Sequence, residues 1–268
     1  MGFLALLEAP EIKVLELASI SDHILLLLTK LRDIETSNKD FRQYLHAYGR
    51  SCAYSILGLE PKSKRRITTG NKKDYLGTFL EDVDHILLPI LRAGEPMCRG
   101  IEDVFREFDI PFTVRQLGIK RKEEEFALRV VDGQPRWDFE YQFTYANIPE
   151  TVSENVVIPV DVMVASGGSL ELTTRAILKK GVPRRIYYAS ALSALFGKNR
   201  ILSTVRESRL QELCQVTYIT GEIDRGGIEG QGLDERGYIT PGLGDAGDRS
   251  HDSDKQRSNL AVGSSLGQ

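Results

Sequence analysis

Cysteine is scarce in this chain: Cys52, Cys98 and Cys214 stand far apart, odd in number, with no C-x-x-C spacing. Such usage excludes a disulfide framework and a cysteine zinc site, and it fits a reducing cytosol. Long apolar runs are missing too. The longest aliphatic stretch, Ile24 to Leu28, is far too short to span a bilayer. The opening Met-Gly-Phe-Leu-Ala-Leu-Leu has no basic flank and meets Glu8 at once, unlike a secretory signal, and Leu6 stands where a myristoylation pattern needs Ser or Thr. Net charge is small, formally −3, so no global field draws nucleic acid or an anionic membrane. The four histidines are scattered. His85, inside an apolar stretch, reads as a structural residue rather than an acid or base.

What is present suffices for a sizeable core. The chain has 268 residues, 41% hydrophobic and 27% charged, which allows one large domain or two small ones. Its most informative stretch runs from Asn155 to Leu170, N-V-V-I-P-V-D-V-M-V-A-S-G-G-S-L. Val156, Val157, Ile158 and Val160 read as a buried strand that ends at Asp161. Ala165 through Ser169 then turn the chain into E-L-T-T-R-A-I-L-K-K-G, where Leu172, Ala176 and Ile177 have helical spacing and Gly181 marks the stop. A strand, a small-residue loop and a helix start suit an anion. Glycines let the backbone approach closely, and free N–H groups with the helix dipole favour negative charge. This loop has neither the G-x-x-x-x-G-K-[ST] nor the G-x-G-x-x-G spacing of the common nucleotide loops. Taken alone, it could equally be a tight turn without a ligand.

Around this stretch the chain alternates strands and helices. Residues 12–17 read as a short strand, and Ser21-Asp22 as the cap of a helix ending near Asp33. Thr36-Ser37 start another helix, with Phe41, Tyr44, Leu45, Tyr48 and Cys52 at helical spacing. The basic run from Lys62 to Lys73 reads as a solvated loop, with an anion-attracting surface as the alternative. Residues 85–91 form an apolar strand, Arg92-Ala93-Gly94 a turn, and Met97, Ile101, Val104 and Phe105 one face of a helix. Further strands are expected at 112–119, 185–192 and 215–220, with a helix around Asn199–Cys214. At about 120–149 a charged and then aromatic excursion (Trp137, Phe139, Tyr141, Phe143, Tyr145) reads as a two-stranded β-arm. The expected fold is α/β, a parallel sheet flanked by helices with right-handed crossovers. Ligands on such sheets sit beyond the carboxyl ends of the strands, where Arg92, Asp161 and Asp245 could converge. Past Gly221 glycine is frequent, yet Leu233, Tyr238, Ile239 and Leu243 mark an ordered loop at about 221–249. Residues 1–249 are expected to form a single domain, and the polar stretch 250–268 a disordered tail.

Four separated stretches resemble, in order, the uracil phosphoribosyltransferase family of type I phosphoribosyltransferases. L-R-D-I-E-T-S-N-K-D-F-R-Q-Y-L-H-A-Y-G-R-S-C-A-Y (31–54) is similar to its N-terminal pattern, and L-P-I-L-R-A-G (88–94) to its strand and turn. V-D-V-M-V-A-S-G-G-S (160–169) is similar to its phosphoribosyl-diphosphate loop, and G-Y-I-T-P-G-L-G-D-A-G-D-R (237–249) to its uracil loop. The resemblance covers roughly residues 10–250. It implies the type I phosphoribosyltransferase fold, with a small hood built from terminal segments and the β-arm. It implies transfer of the phosphoribosyl group from 5-phosphoribosyl diphosphate to uracil, giving UMP and diphosphate in pyrimidine salvage. Mg2+ is the implied cofactor, carried by the diphosphate without a direct protein ligand and near Asp245 through water. A cytoplasmic homodimer or higher homo-oligomer is implied, with no membrane or nucleic-acid partner.

The resemblance also assigns roles. Ala165, Ser166, Gly167, Gly168 and Ser169 would cradle the 5-phosphate, and Val162, Met163 and Val164 belong to the same substrate-binding stretch. Asp161 would accept from the ribose hydroxyls and Arg92 would bind diphosphate. Arg121 stands at the arginine of the family's G-x-x-R-x-E-E arm motif and would contact the same ligand. Ile239, Gly244, Asp245 and Ala246 would read the uracil edge, Asp245 also facing the phosphoribosyl diphosphate or its metal. Arg92, Asp161 and Asp245 are the catalytic candidates. Asp248 and Arg249 read as a local surface ion pair outside the site. Several positions depart from the family, among them Ser55 for a glutamate, the arm at 122–147, and a longer glycine-rich segment before the uracil loop. Val162 replaces a proline, Ser166 a threonine, and Glu95 an apolar residue after R-A-G. Two rival readings are a paralogue with another base or lost activity, and a non-enzymatic regulator sensing UMP or phosphoribosyl diphosphate, with RNA. The acidic balance speaks against the regulator and the intact uracil loop against lost binding.

Overall fold

The computed structural model describes residues 11–122 and 128–251. Strand β1 (Lys13–Glu16) leads into helices α1 (Asp22–Arg32) and α2 (Asn38–Leu59). Ser37 caps α2 as its sequence suggests, its hydroxyl accepting the Asp40 N–H at 3.1 Å. A hairpin of β2 (Lys62–Thr68) and β3 (Asp74–Leu80) follows. β4 (His85–Leu91) and α3 (Gly94–Glu107) form the first strand–turn–helix unit. Next come β5 (Phe112–Val114), β6 (Leu117–Arg121), β7 (Leu128–Val131), β8 (Gln134–Trp137) and β9 (Tyr141–Ala146). The second unit comprises β10 (Val156–Val160), β11 (Met163–Val164) and α4 (Gly168–Leu178). The chain continues through β12 (Arg185–Ala194), α5 (Leu195–Glu207), α6 (Leu210–Leu213), β13 (Gln215–Asp224) and α7 (Ala246–His251).

The main sheet has the order β1-β13-β12-β10-β4-β6-β9, with β5 also on β4 and β11 on β12. Its pairings are parallel except β6 with β9. β10 and β12 are buried along their whole length, which is why they read as continuous rather than alternating apolar runs. Alternate residues still divide between two cores. Val156, Ile158 and Val160 face Leu28, Phe41, Tyr48 and Met97 of α1, α2 and α3. Val157 faces Leu170, Ile177, Ile201 and Val205 of α4 and α5. Helices on both faces of a mostly parallel sheet make the fold α/β, as expected. Helices α2 and α3 meet backbone to backbone: a Cβ on Gly49 would lie 2.0 Å from the Met97 carbonyl oxygen, and one on Gly100 2.0 Å from that of His46. Only glycine allows this approach, and it fixes where α3 and the turn before it lie. Among the described residues no helix is long and apolar enough to cross a membrane.

Several expectations need correction. The basic run is a loop only at 69–73, the turn of a hairpin, because Lys62 to Thr68 pairs in antiparallel register with Leu80 to Asp74. Its charges remain solvated, and strand pairing supplies the order that composition does not reveal. The stretch 112–119 is two strands, β5 and β6, laid in turn along β4. The helix expected at 199–214 starts earlier and breaks, because Arg209 takes a left-handed conformation with φ of 55°. The arm is more than one ribbon. β6 and β9 extend the main sheet while β7 and β8 form a separate hairpin. Ser250 and His251 belong to α7, and the rest of the expected tail lies outside the described residues, as do Glu123 and Glu124 of the arm motif.

His85 is structural, as its neighbours suggest. It is buried, packs edge-on against Phe105 at 5.0 Å, and lies 3.9 Å from Glu60. Burial holds its pKa below the ordinary range. Glu60 itself belongs to a buried ion pair with Arg185 at 2.7 Å, with Glu81 3.4 Å from the same guanidinium.

Candidate active site

Parallel pairing sets the carboxyl ends of β4, β10, β12 and β13 along one edge of the sheet. Val160 pairs with Pro89 on one side and Ala189 on the other. A Cβ on Gly94 would lie 2.8 Å from the Val160 carbonyl oxygen, so the R-A-G turn is seated against the end of β10. Asp161 begins there, its N–H donating to the Ala189 carbonyl at 3.0 Å. Burial pushes its carboxyl up to about 7, against a hydrogen bond from the Met163 N–H.

The following loop is pinned from below. Gly167 has φ of 80°, and a Cβ on Gly197 would lie 2.2 Å from the Ala165 carbonyl oxygen. The loop backbone thus rests directly on the start of α5, and the first turn of α4 opens with N–H groups available to an anion. Val162 and Val164 are buried, so their side chains serve the core and not a ligand. The Val162 carbonyl accepts the N–H groups of Ala191 and Leu192 at 3.1 and 3.0 Å. Met163, Ala165 and Ser169 are half-buried. Ser166 is buried, with its Oγ 2.6 Å from the Tyr141 hydroxyl. The Tyr141 ring covers Gly168 so closely that a Cβ there would lie 2.0 Å from Cε2.

Two arginines hold the loop after β13. Arg32 donates to both carboxylate oxygens of Asp224 at 2.6 and 2.9 Å, to Glu222 at 2.8 Å and to the Gly242 carbonyl at 2.8 Å. Asp224 in turn accepts the Gly242 N–H at 2.9 Å. Arg249 is not the surface residue expected. It is buried, donates to the carbonyls of Leu31, Leu243 (2.7 Å) and Asp33 (2.6 Å), and stacks 4.3 Å over Phe41. The carbonyls at the end of α1 need donors, and a guanidinium supplies several at once. Asp248, rather than pairing with Arg249, lies 3.4 Å from Arg92. Asp245 accepts the Asp248 N–H at 3.0 Å and caps α7. Ile239 and Ala246 are buried, whereas Gly244 and Asp245 are exposed.

The structure therefore brings Arg92 and Asp245 into one neighbourhood. A Cβ on the intervening Gly247 would lie 3.1 Å from Asp245 Oδ1 and 3.9 Å from Arg92 Nη2. Arg121 is drawn between arm and loop, 4.3 Å from the Phe139 ring centre and 5.8 Å from that of Tyr238. The arm is fastened to the same loop by Trp137, whose indole N–H donates to the Asp234 carbonyl at 2.8 Å. Burial raises the Tyr141 phenol; its Ser166 hydrogen bond, Arg121 and Arg200 oppose the rise, and Asp161 adds to it. Tyr141 thus joins the arm to the loop, its strand paired at Arg121 and its side chain on Ser166 and Gly168. Glu95 spends its charge on Arg99, 2.5 Å away on the same helix. Reasoning from sequence missed Tyr141, Arg32 and Arg249 as site residues. For Tyr141 the aromatic alternation of 137–145 was the available signal.

Fold and site together define a type I phosphoribosyltransferase: a strand-end aspartate, a glycine loop opening a helix, and an arginine turn on the adjacent strand. The profile of the family described as "Uracil phosphoribosyltransferase" matches residues 19–252. The uracil phosphoribosyltransferase of Thermococcus sibiricus is 31% identical, the match covering 86% of this chain and 86% of that protein. That of Sulfurisphaera tokodaii is 32% identical over 83% of this chain and 93% of its own. The solved AQ2163 protein of Aquifex aeolicus superposes with a TM-score of 0.68 at 28% identity, covering 89% of this chain and 97% of that one. The chain belongs to the uracil phosphoribosyltransferase family.

Proposed function

We propose that this protein transfers the 5-phosphoribosyl group from 5-phosphoribosyl diphosphate to uracil, giving UMP and diphosphate in pyrimidine salvage. The observation that carries the reading is the loop G-Y-I-T-P-G-L-G-D-A. It is held by Arg32 and Arg249, with Gly244 and Asp245 exposed beside Arg92. Along its O2–N3–O4 edge uracil offers one N–H donor, N3, between two carbonyl acceptors, and the backbone of Ile239 and Gly244 through Ala246 reads that edge. Ala165 through Ser169 take the 5-phosphate. Asp161 accepts from the ribose hydroxyls, as a carboxylate above about pH 7. Arg92 and Arg121 face the diphosphate. The ribose C1 bond to the diphosphate oxygen breaks, a bond to uracil N1 forms, and the N1 proton is lost. No protein nucleophile is needed; positioning and charge stabilisation lower the barrier.

Magnesium suits this donor set. Mg2+ keeps several waters and takes one or two carboxylates plus substrate phosphates, and Asp245 is exposed where such an ion would approach through water. When bound, the ion neutralises the leaving diphosphate. We place the enzyme in the cytoplasm as a homodimer or larger homo-oligomer. Its three unpaired cysteines and the exposed Ile67, Tyr75, Leu76 and Phe79 of the β2–β3 hairpin support this.

The test is product formation from phosphoribosyl diphosphate and Mg2+ with a panel of bases. UMP from uracil is expected, with cytosine, orotate and purines poor substrates. No product from any base would sink the reading. UMP binding without turnover, with RNA retained on a gel, would favour the regulator.

A further inference from the structure

Tyr141 stands on the phosphate loop itself. Strand β9 carries it there, paired with Arg121 of β6. Its hydroxyl lies 2.6 Å from Ser166 Oγ and its ring covers Gly168, the first residue of α4. The bond between the two hydroxyls uses one of their hydrogens and leaves the other for a ligand beside the open N–H groups of the helix start. The helix keeps its positive end: Glu171, in its first turn, is neutralised by Arg175 at 2.9 Å and Arg200 at 2.6 Å. Burial keeps the phenol protonated, so it remains a donor at neutral pH.

We propose that Tyr141 is a substrate-positioning residue whose hydroxyl, accepting from that of Ser166, donates to the 5-phosphate of phosphoribosyl diphosphate. The proposal rests on the phosphoribosyl-transfer reading above. It also couples the two halves of the site. The arm that brings Tyr141 to the phosphate is tied to the base loop by Trp137 on Asp234, and Phe139 lies against Gly237 of the same loop.

Tyr141→Phe removes the donor and keeps the ring that packs on Gly168; Tyr141→Ala removes both. In full-length protein, Tyr141→Phe is expected to raise the KM for phosphoribosyl diphosphate about tenfold, the scale of one hydrogen bond to a charged group. The KM for uracil and kcat should stay within about twofold. Binding of ribose 5-phosphate alone, followed by the fluorescence of Trp137, the chain's single tryptophan, should weaken by the same factor. Wild-type values for Tyr141→Phe in both measurements would overturn the proposal. Tighter binding in Tyr141→Ala would overturn it too, because the ring would then be a plug that phosphate must displace. A wild-type protein that forms no UMP yet binds ribose 5-phosphate, less well as Tyr141→Phe, would refute the uracil reaction and support this role.

Discussion

Replacing Asp161 by Asn should stabilise the protein above neutral pH while damaging its activity. Burial pushes this carboxyl from 3.8 up to about 7. At about 1.4 kcal/mol per pH unit, keeping it charged in the folded state costs at most about 4 kcal/mol. Asp161 is half-buried by surface exposure, so its surroundings respond with a higher effective dielectric than dry protein, which brings the expected value nearer about 2 kcal/mol. The sign follows from proton counts. Between pH 3.8 and about 7 the folded state holds a proton that the unfolded chain has released. Stability therefore falls as pH rises through that window and levels off above it. Asn cannot ionise, and its Oδ1 still accepts the Met163 N–H. Its advantage is thus absent below about pH 4, partial at about pH 5 and complete above about pH 7. For a domain of this size about 2 kcal/mol corresponds to a Tm gain of about 4–8 °C. Melts followed by circular dichroism at about pH 8 and about pH 5 measure it. Turnover should fall by about tenfold or more, since a neutral amide holds ribose hydroxyls less strongly. A Tm at about pH 8 equal to or below wild type would refute the reasoning, as would a gain of equal size at both pH values.

Glu60→Ala takes from the buried Arg185 guanidinium its closer and only buried carboxylate, leaving the partly exposed Glu81 at 3.4 Å. It should cost about 3–5 kcal/mol in urea unfolding, with KM values unchanged at ambient temperature. Arg249→Met removes donors to the carbonyls of Leu31, Asp33 and Leu243. The KM for uracil should rise about tenfold or more while that for phosphoribosyl diphosphate stays near wild type; an unchanged uracil KM would restore the surface-pair reading. Gly197→Ala drives a methyl to 2.2 Å from the Ala165 carbonyl oxygen. The resulting overpacking should cost about 1–3 kcal/mol and weaken ribose 5-phosphate binding in titration calorimetry.

The strand–loop–helix units were legible because their signals are local. Continuous β-branched runs fix β4 and β10, and small residues after them fix the turns. Those units put Arg92, Asp161 and the 165–169 loop on one edge, since parallel pairing aligns their strand ends, and the resemblance to the family supplies their roles. Contacts made across the chain were not legible. Nothing near Arg249 in sequence announces that it will bury itself against Phe41 and the end of α1. Arg32 finds Asp224 across 192 residues. Tyr141 was read as one aromatic among several because its partner, Ser166, lies on another element. Within the basic 62–73 run, charge hides the strand at 62–68, whose pairing depends on its neighbour β3.

Two departures near the phosphate and diphosphate positions, Val162 and Glu95, are absorbed by this chain's own contacts. Where the family carries proline, Val162 has no ring to stiffen the loop. Its side chain is instead buried, and its carbonyl accepts from two successive residues of β12. β11 also pairs with the same strand at Leu192 and Ser193. Rigidity that a ring supplies locally is here supplied by the sheet, which constrains the same backbone. Glu95 adds a negative charge one helical turn from Arg92, yet Arg99 on the same helix face takes it up at 2.5 Å. Both changes leave the backbone cradle and the Arg92 side chain as the fold needs them. These two changes thus alter how the site is braced, while Ser166, on the loop itself, keeps the hydroxyl of the threonine it replaces.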